Sequence, residues 1–216
     1  MIEESIMTEE TPKPKKKYYD YISVGNRTKQ VVYFVEQHDK PVHFDLLLKN
    51  NTYTNMVVIC KSKKTADELA SYLDDKDIKA SIIHGNHRKE QSEKIALAFN
   101  DNEIDILITT DMILHTLELK NIKTVLNYDL PFAFESYFKT LRYVDEVGES
   151  ISFVNIDDEG MLDTIEFVMK YDIPRKELEE FEHTPLPKVV KAKKKKPRHK
   201  KYKKVRKDNE IATKNI

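Results

Sequence analysis

Polar side chains follow two short apolar runs near the middle of the chain, and they are the first candidates for chemistry. Three of them, Thr109, Thr110 and Asp111, come directly after one run. Asn127 and Asp129 stand near the end of the next run. In an open parallel sheet, ligands bind at the edge formed by the carboxyl ends of the strands. The spacing therefore predicts a ligand-facing edge, although Asp after a strand is also a common turn residue.

A second group of candidates is cationic. Residues 188–207 hold thirteen Lys and Arg and no acidic residue, whereas residues 18–187 hold nineteen Lys and Arg against thirty-one Asp and Glu. A basic segment on an acidic body is typical of a nucleic-acid-binding appendage. The alternatives are a solubilising extension and a segment that folds back on the acidic body. The RNA-binding candidates here are Lys193, Lys194, Lys195, Lys196, Arg198, Lys200, Lys201, Tyr202, Lys203, Lys204 and Arg206.

Little in the sequence supports a metal site or a catalytic nucleophile. His84 and His87 have the spacing of a metal-binding pair, but no further ligand has a fitting spacing, so a turn is the simpler interpretation. Cys60 is the single cysteine and lies in a strand-like run. We therefore expect no disulfide, no bound metal and no cysteine chemistry.

Composition favours a cytoplasmic protein without a membrane partner. Charged residues make up 34% of the 216 residues, and no apolar run approaches the roughly 20 residues of a membrane helix. The first residues lack the apolar core of a signal peptide. A length of this kind predicts one domain.

Alternating strand-like and helix-like segments predict an α/β fold. We expect strands at residues 29–35, 56–60, 80–83, 104–109, 123–128 and 151–154. Helices are expected at residues 41–49, after Ser62, at 89–99, 112–115 and 134–143, and in a last segment that ends near residue 171. This order predicts a three-layer sandwich, with a parallel sheet and helices on both faces. We expect a folded domain at residues 25–173, a disordered segment at 1–24, and an acidic-then-basic disordered tail at 174–216.

Several of these segments, in order and at the right spacing, resemble the C-terminal RecA-like domain of DEAD-box RNA helicases over about residues 28–172. Residues 56–73 look like helicase motif IV and the helix behind it, and residues 84–99 look like the family's HG-x-x-x-Q-x-x-R segment. Residues 106–112 resemble the start of motif V, residues 125–131 the family's Asn-Tyr-Asp-Leu-Pro strand, and residues 135–148 stand where motif VI belongs. The resemblance implies a RecA-like fold of the P-loop NTPase type. It also implies RNA contacts at Ser62, His84, Gly85, Thr109, Thr110 and Asp111.

Three motifs depart from the family pattern. In the HG segment, Lys89 and Ser92 stand where Gln and Arg are expected. Motif V usually continues Ala-Arg-Gly-Leu-Asp, where the last residue contacts the nucleotide ribose, and Glu118 stands at that position here. The two arginine fingers of motif VI are replaced by Tyr143 and Glu146. Since an arginine finger accounts for about 10³–10⁵ in the rate of phosphoryl transfer, the resemblance implies a weakened catalytic site. Glu118 and Arg142 remain vestigial nucleotide-binding candidates. The segment from Tyr137 to Ile151 is shorter than the family's usual spacing, which would let Arg142 shift into a finger position.

The sequence contains no G-x-x-x-x-G-K-[ST] loop and no Asp-Glu-Ala-Asp motif, so we expect no cradle for the phosphates of ATP. One hypothesis is a degenerate, stand-alone helicase C-terminal domain without ATPase activity, which binds RNA non-specifically through its basic tail. A second is one half of an ATP-dependent RNA helicase, completed by a separate N-terminal RecA-like domain, with ATP as a cofactor only then. A third is a scaffold for ribonucleoprotein components in ribosome assembly or RNA decay.

Overall fold

The computed structural model describes residues 20–179 and 181–184. Its strands are β1 (Lys29–Phe34), β2 (Met56–Cys60), β3 (Ser81–Ile83), β4 (Ile106–Thr110), β5 (Ile122–Asn127), β6 (Val144–Val154) and β7 (Arg175–Lys176). Its helices are α1 (Tyr21–Arg27), α2 (Lys40–Asn50), α3 (Lys63–Asp74), α4 (Lys89–Asn100), α5 (Asp111–Leu114), α6 (Phe134–Leu141) and α7 (Glu159–Met169). The described residues form one compact unit that ends at Thr184, and residues 185–216 are not among the described residues.

All the paired strands run parallel, in the order β3-β4-β2-β5-β6-β1-β7. From β1 the chain crosses to β2 and then to the edge strand β3, and from there it returns across the sheet. Right-handed crossovers place the helices of the outward path and of the return path on opposite faces. The predicted three-layer α/β sandwich is therefore confirmed.

The register of the sheet shows which core residues lie on each of its two faces. Val58 pairs with Leu126, and both belong to the apolar cluster that α2 and α3 cover. Ile59 is the neighbour of Val58 and points the other way, into the cluster that contains Ala96 and Phe99 of α4. Because both faces are covered, β2 is an uninterrupted apolar run, as the sequence indicated.

Helix α3 begins as predicted. The Ser62 hydroxyl accepts a hydrogen bond from the Thr65 backbone N–H at 3.1 Å, which satisfies one of the free donors of the first turn. Ala66, Leu69 and Leu73 on the inner face are all buried.

The folded unit extends past both predicted boundaries. Helix α1 begins at Tyr21 with Asp20 as its N-cap, so residues 21–24 are helical and not disordered. At the other end, β7 pairs with β1, so the chain beyond residue 173 still belongs to the sheet. Strand β6 also begins at Val144, seven residues earlier than predicted, and its register against β5 shifts between Ile122 and Thr124. Among the described helices, none has the length and apolar composition needed to cross a bilayer.

Candidate nucleic-acid interface

The carboxyl ends of β2, β3 and β4 meet at one edge of the sheet. Cys60 pairs with Thr110, and Ile83 pairs with Thr109. The residues that directly follow these strands therefore lie side by side. The predicted RNA-contact residues fall into this edge, and they are Ser62, His84, Gly85, Thr109, Thr110 and Asp111.

Several of these polar groups are already engaged within the domain or buried. Ser62 caps α3, as described above. Thr109 is fully buried and Thr110 is 9% exposed. The Asn127 amide donates to the hydroxyls of Ser150 and Ser152, at 3.3 Å and 3.1 Å. The edge therefore presents fewer free polar groups than the sequence suggested.

His84 and His87 form a stabilised turn. Nε2 of His84 lies 2.8 Å from Asp67 Oδ1, and the two imidazole rings meet edge to face at 4.3 Å. Nδ1 of His87 accepts a hydrogen bond from the His84 backbone N–H at 3.1 Å. Within the described ranges, no three His, Cys, Asp or Glu side chains are grouped to hold a metal ion. A Cβ on Gly85 would lie 3.2 Å from the end of the Lys63 side chain, so little space is free there.

An Asp-His-Tyr arrangement follows β4. Helix α5 places Asp111 and His115 one turn apart, and Asp111 Oδ1 lies 3.3 Å from His115 Nε2. The His115 ring stacks on Tyr143 at 5.6 Å, with 29° between the rings. The Tyr143 hydroxyl also lies 3.4 Å from His115 Nδ1. Tyr143 is thus held by contacts within the domain.

A buried group of charges lies at the ends of β2, β5 and β6. The Lys40 ammonium is 2.9 Å from Asp129 Oδ1 and 3.8 Å from Asp158 Oδ2. Lys61 Nζ is 3.3 Å from Asp158 Oδ1. This group was not predicted from the sequence, although Lys40 beside a predicted helix start and Asp129 at a strand end were signals for it. Beside it lies a cleft of about 100 Å³ lined by Asp111, Asp129, Lys61 and Phe132.

The sequence profile of the helicase conserved C-terminal domain matches residues 22–142, which is more than half of the chain. The chain belongs to the helicase C-terminal domain family. Residues of this helicase C-terminal domain are 35% identical, over 132 residues, to the probable ATP-dependent RNA helicase MJ0669 of Methanocaldococcus jannaschii. They are 29% identical, over 140 residues, to the ATP-dependent RNA helicase vasa of Drosophila melanogaster.

Those matches cover 60% and 62% of this chain but 36% and 21% of the relatives. The helicase C-terminal domain therefore spans about a third or less of the curated relatives that it matches.

Solved structures agree on the fold. A DEAD box protein from the hyperthermophile Methanococcus jannaschii is 31% identical, with a TM-score of 0.65, over 71% of this chain and 43% of that one. The C-terminal domain of the DEAD-box protein Dbp5 is 22% identical, with a TM-score of 0.66, over 70% of this chain and 91% of that one. Dbp5 of S. cerevisiae has been solved bound to RNA and ADP BeF3, and also with Nup159 and Gle1. The predicted relation to DEAD-box C-terminal RecA-like domains is confirmed.

In this family context, the structure places the two vestigial nucleotide-binding candidates on different elements. Glu118 is exposed in the segment before β5, and its backbone carbonyl accepts a hydrogen bond from Asn100 at 2.8 Å. Arg142 is partly buried directly after α6, and its backbone N–H donates to the Lys139 carbonyl. The nucleotide-binding role of both residues stays a prediction.

Two further predictions concern Cys60 and the basic tail. Burial raises the pKa of the Cys60 thiol well above its ordinary value, so Cys60 is a core residue rather than a nucleophile. The cationic candidates of the tail lie outside the described residues: Lys193, Lys194, Lys195, Lys196, Arg198, Lys200, Lys201, Tyr202, Lys203, Lys204 and Arg206.

Proposed function

We propose that this helicase C-terminal domain binds RNA without sequence preference, mainly through residues 188–207, and does not hydrolyse ATP by itself. The observation that carries the proposal is the charge distribution, with thirteen Lys and Arg and no acid in that segment. Cations of this density attract phosphate backbones of any sequence, and an interleaved Tyr202 supplies a ring for base stacking. Membership in a family whose relatives are named RNA helicases supports RNA as the polyanion.

The side chains at the carboxyl edge support a minor role for the folded unit in this binding. Ser62 caps a helix, Thr109 is buried, and His84 lies against Asp67. Ser62 and His84 must give up an existing hydrogen bond, and Thr109 must become exposed, before they can bind a phosphate. We therefore assign most of the affinity to the basic segment.

Tyr143 supports the proposal that the domain does not hydrolyse ATP by itself. It stands where the family has an arginine finger, and it is held against His115 at 5.6 Å. A phenol carries no positive charge to offset the charge that develops on a transferred phosphoryl group. The lack of a G-x-x-x-x-G-K-[ST] loop in the sequence removes the other main source of phosphate binding.

A pair of charge-matched variants tests the RNA-binding proposal. The first replaces Lys193, Lys194, Lys195 and Lys196 by Gln in the full chain. The control replaces four exposed lysines near the amino ends of the strands, Lys76, Lys79, Lys120 and Lys123, by Gln. Both variants carry four fewer positive charges, so the non-specific electrostatic attraction between the protein and RNA falls equally in both. Binding to a labelled single-stranded RNA should weaken at least tenfold more in the tail variant. Equal weakening in the two variants would refute the proposal.

A second candidate function follows from the length of the relatives. The chain covers 43% of the Methanococcus jannaschii DEAD box structure, so an enzyme of this kind contains more than this unit. In that case the domain would dock on an N-terminal RecA-like domain and complete an ATP-dependent helicase. The test is the steady-state rate of ATP hydrolysis by this chain mixed with the N-terminal RecA-like domain of a relative. It distinguishes a stand-alone RNA-binding domain from one half of a helicase. A rate above that of the partner domain alone would favour the second candidate.

A further inference from the structure

The last described residues cross the edge of the sheet and cover the start of α2. Residues 175–179 and 181–184, here called the strap, begin with β7, which pairs with the edge strand β1. The strap is fixed at its beginning by Arg175, whose guanidinium donates to Glu166 of α7 at 2.7 Å. Leu178 and Phe181 of the strap pack on the apolar cluster beneath α2. The strap thus closes one margin of the hydrophobic core.

The strap also has an anchor at its far end. The backbone N–H of Thr184 donates to Asp39 Oδ2 at 3.1 Å, and its hydroxyl donates to the other oxygen of the same carboxylate. The Thr184 carbonyl lies 3.2 Å from His38 Nε2. Between the two anchors, Phe181 is the strap residue whose ring lies against a titratable side chain of the core.

That side chain is His43 on α2. Its ring is stacked on Phe181 at 4.7 Å and lies 5.0 Å from Phe153 of β6, with Tyr33 of β1 edge-on at 5.1 Å. His43 is only 2% exposed. Its Nδ1 atom is buried and has no hydrogen-bond partner among the described residues. A neutral imidazole tolerates such a site far better than a charged one, because an unpaired buried charge is expensive.

We propose that the strap is a pH-sensitive closure, which opens when His43 takes up a proton. An imidazolium must find water or an acceptor for Nδ1. The sheet residues Tyr33 and Phe153 are held by strand pairing, whereas the strap contributes only the two-residue β7 to the sheet. Moving Phe181 aside is therefore the least disruptive way to hydrate the charged ring. The proposal does not depend on the RNA-binding proposal.

The charges near His43 have opposite effects on its protonation. His183 of the strap opposes a second positive charge, whereas Asp39 at the start of α2 favours it. Tyr33 is neutral below its raised pKa, and β6 presents the uncharged Phe153. His38 lies 3.6 Å from Asp39 and 3.2 Å from the Thr184 carbonyl, at the anchor of the strap. Burial outweighs these effects and, with His183, lowers the pKa of His43 to about 4.

The direction of the effect follows from this shift. In the open state His43 is hydrated and has its ordinary pKa of about 6.5. The closed state binds the proton less well, so closure is most stable above pH 6.5 and is weakened as the pH falls toward 4. At pH 5.5 this linkage lowers the closing equilibrium constant about tenfold relative to pH 7.5.

Hydrogen exchange with mass spectrometry tests the proposal on the full chain. Protection factors, corrected for the intrinsic pH dependence of exchange, are compared at pH 7.5 and pH 5.5. The protection of strap amides should fall about tenfold, and low concentrations of urea should hardly change it, because the strap opens without global unfolding. β2 amides exchange through global unfolding, so their protection should fall steeply with urea. Unchanged strap protection at pH 5.5, or strap exchange as sensitive to urea as β2 exchange, would overturn the proposal.

Variants distinguish the contribution of His43 to the pH effect on strap protection from the contributions of the other histidines. His43→Phe keeps a ring in place and should leave strap protection the same at both pH values. His38→Gln should still show the fall in protection at pH 5.5. Phe181→Ala removes the cover and should give low protection at both pH values, which provides a second check if the His43 variant does not fold. Persistence of the pH effect in Phe181→Ala would count against His43.

Discussion

The Lys40 ammonium has no exposed surface and lies 2.9 Å from Asp129 Oδ1. This ion pair joins the start of α2 to the loop after β5. The other carboxylate oxygen of Asp129 accepts a hydrogen bond from the Lys61 backbone N–H at 3.1 Å, which adds the end of β2. Asp158, 3.8 Å from the same ammonium, adds the loop after β6. The buried ion pair thus joins the carboxyl ends of β2, β5 and β6 to the start of α2.

Replacing Lys40 by Met should lower the free energy of unfolding by about 3–5 kcal/mol, because it leaves buried carboxylates without their cation. Urea denaturation measures the change. Lys64→Met is the control, since Lys64 pairs with Glu68 on the surface at 3.5 Å and should shift stability by less than about 1 kcal/mol. Similar destabilisation in the two variants would mean that the buried pair has no special role.

Gly148→Ala should destabilise the fold by about 1–3 kcal/mol through steric overlap. A Cβ at this position would lie 2.6 Å from the Lys123 carbonyl oxygen and 2.4 Å from a methyl of Val144, where β6 bulges away from β5. Gly160→Ala in α7 meets nothing within 4 Å and should be neutral or stabilising, by about 0.5–1 kcal/mol. Thermal or urea unfolding of the pair checks this, and the reverse order of stability would be inconsistent with the bulge.

The stability of the domain should fall as the pH drops from 7.5 to 5, in part because of His43. Burial lowers its pKa in the folded state to about 4, so the unfolded state binds more protons between pH 4 and about 6.5. His43→Phe removes this contribution and should flatten the pH dependence of the urea midpoint. A curve for the variant that runs parallel to the wild-type curve would show that other groups cause the acid sensitivity.

Tyr143→Arg should not produce ATP hydrolysis by this chain alone. The change returns a cation to one finger position, but the sequence offers no phosphate-binding loop for it to act on. Release of inorganic phosphate from ATP, with and without single-stranded RNA, is the measurement. Turnover above that of the wild-type chain would show that the chain contains a nucleotide site without a G-x-x-x-x-G-K-[ST] loop.

Most of the fold could be predicted because the signals were strong and local. Residues 56–60 are apolar throughout, as a strand covered on both faces must be, and β2 has those bounds. The inner face of α3, with Leu69 and Leu73, follows a helical period. Helix α1 gave no such signal, because it has seven residues and packs its glycine, Gly25, against Met169.

The parts that escaped prediction depend on contacts distant in sequence. Strand β7 has two exposed, charged residues, and its pairing with β1 is visible only in three dimensions. The same is true of the strap, where Phe181 meets a histidine far away along the chain. At the candidate interface, the sequence placed the polar residues at the correct strand ends. It also predicted Ser62 at the start of α3, but it could not show that His84 lies against Asp67.

The salt dependence of RNA binding tests the central claim most directly. The affinity of the full chain for a single-stranded RNA is measured across a range of salt concentrations, beside the variant with Gln at positions 193–196. Each phosphate that the protein neutralises contributes about −0.7 to the slope of log K against log salt. We predict a steep slope for the wild type and a shallower slope for the variant, by about 0.7 for each phosphate that it no longer neutralises. A slope unchanged by the substitution would contradict binding through the basic segment.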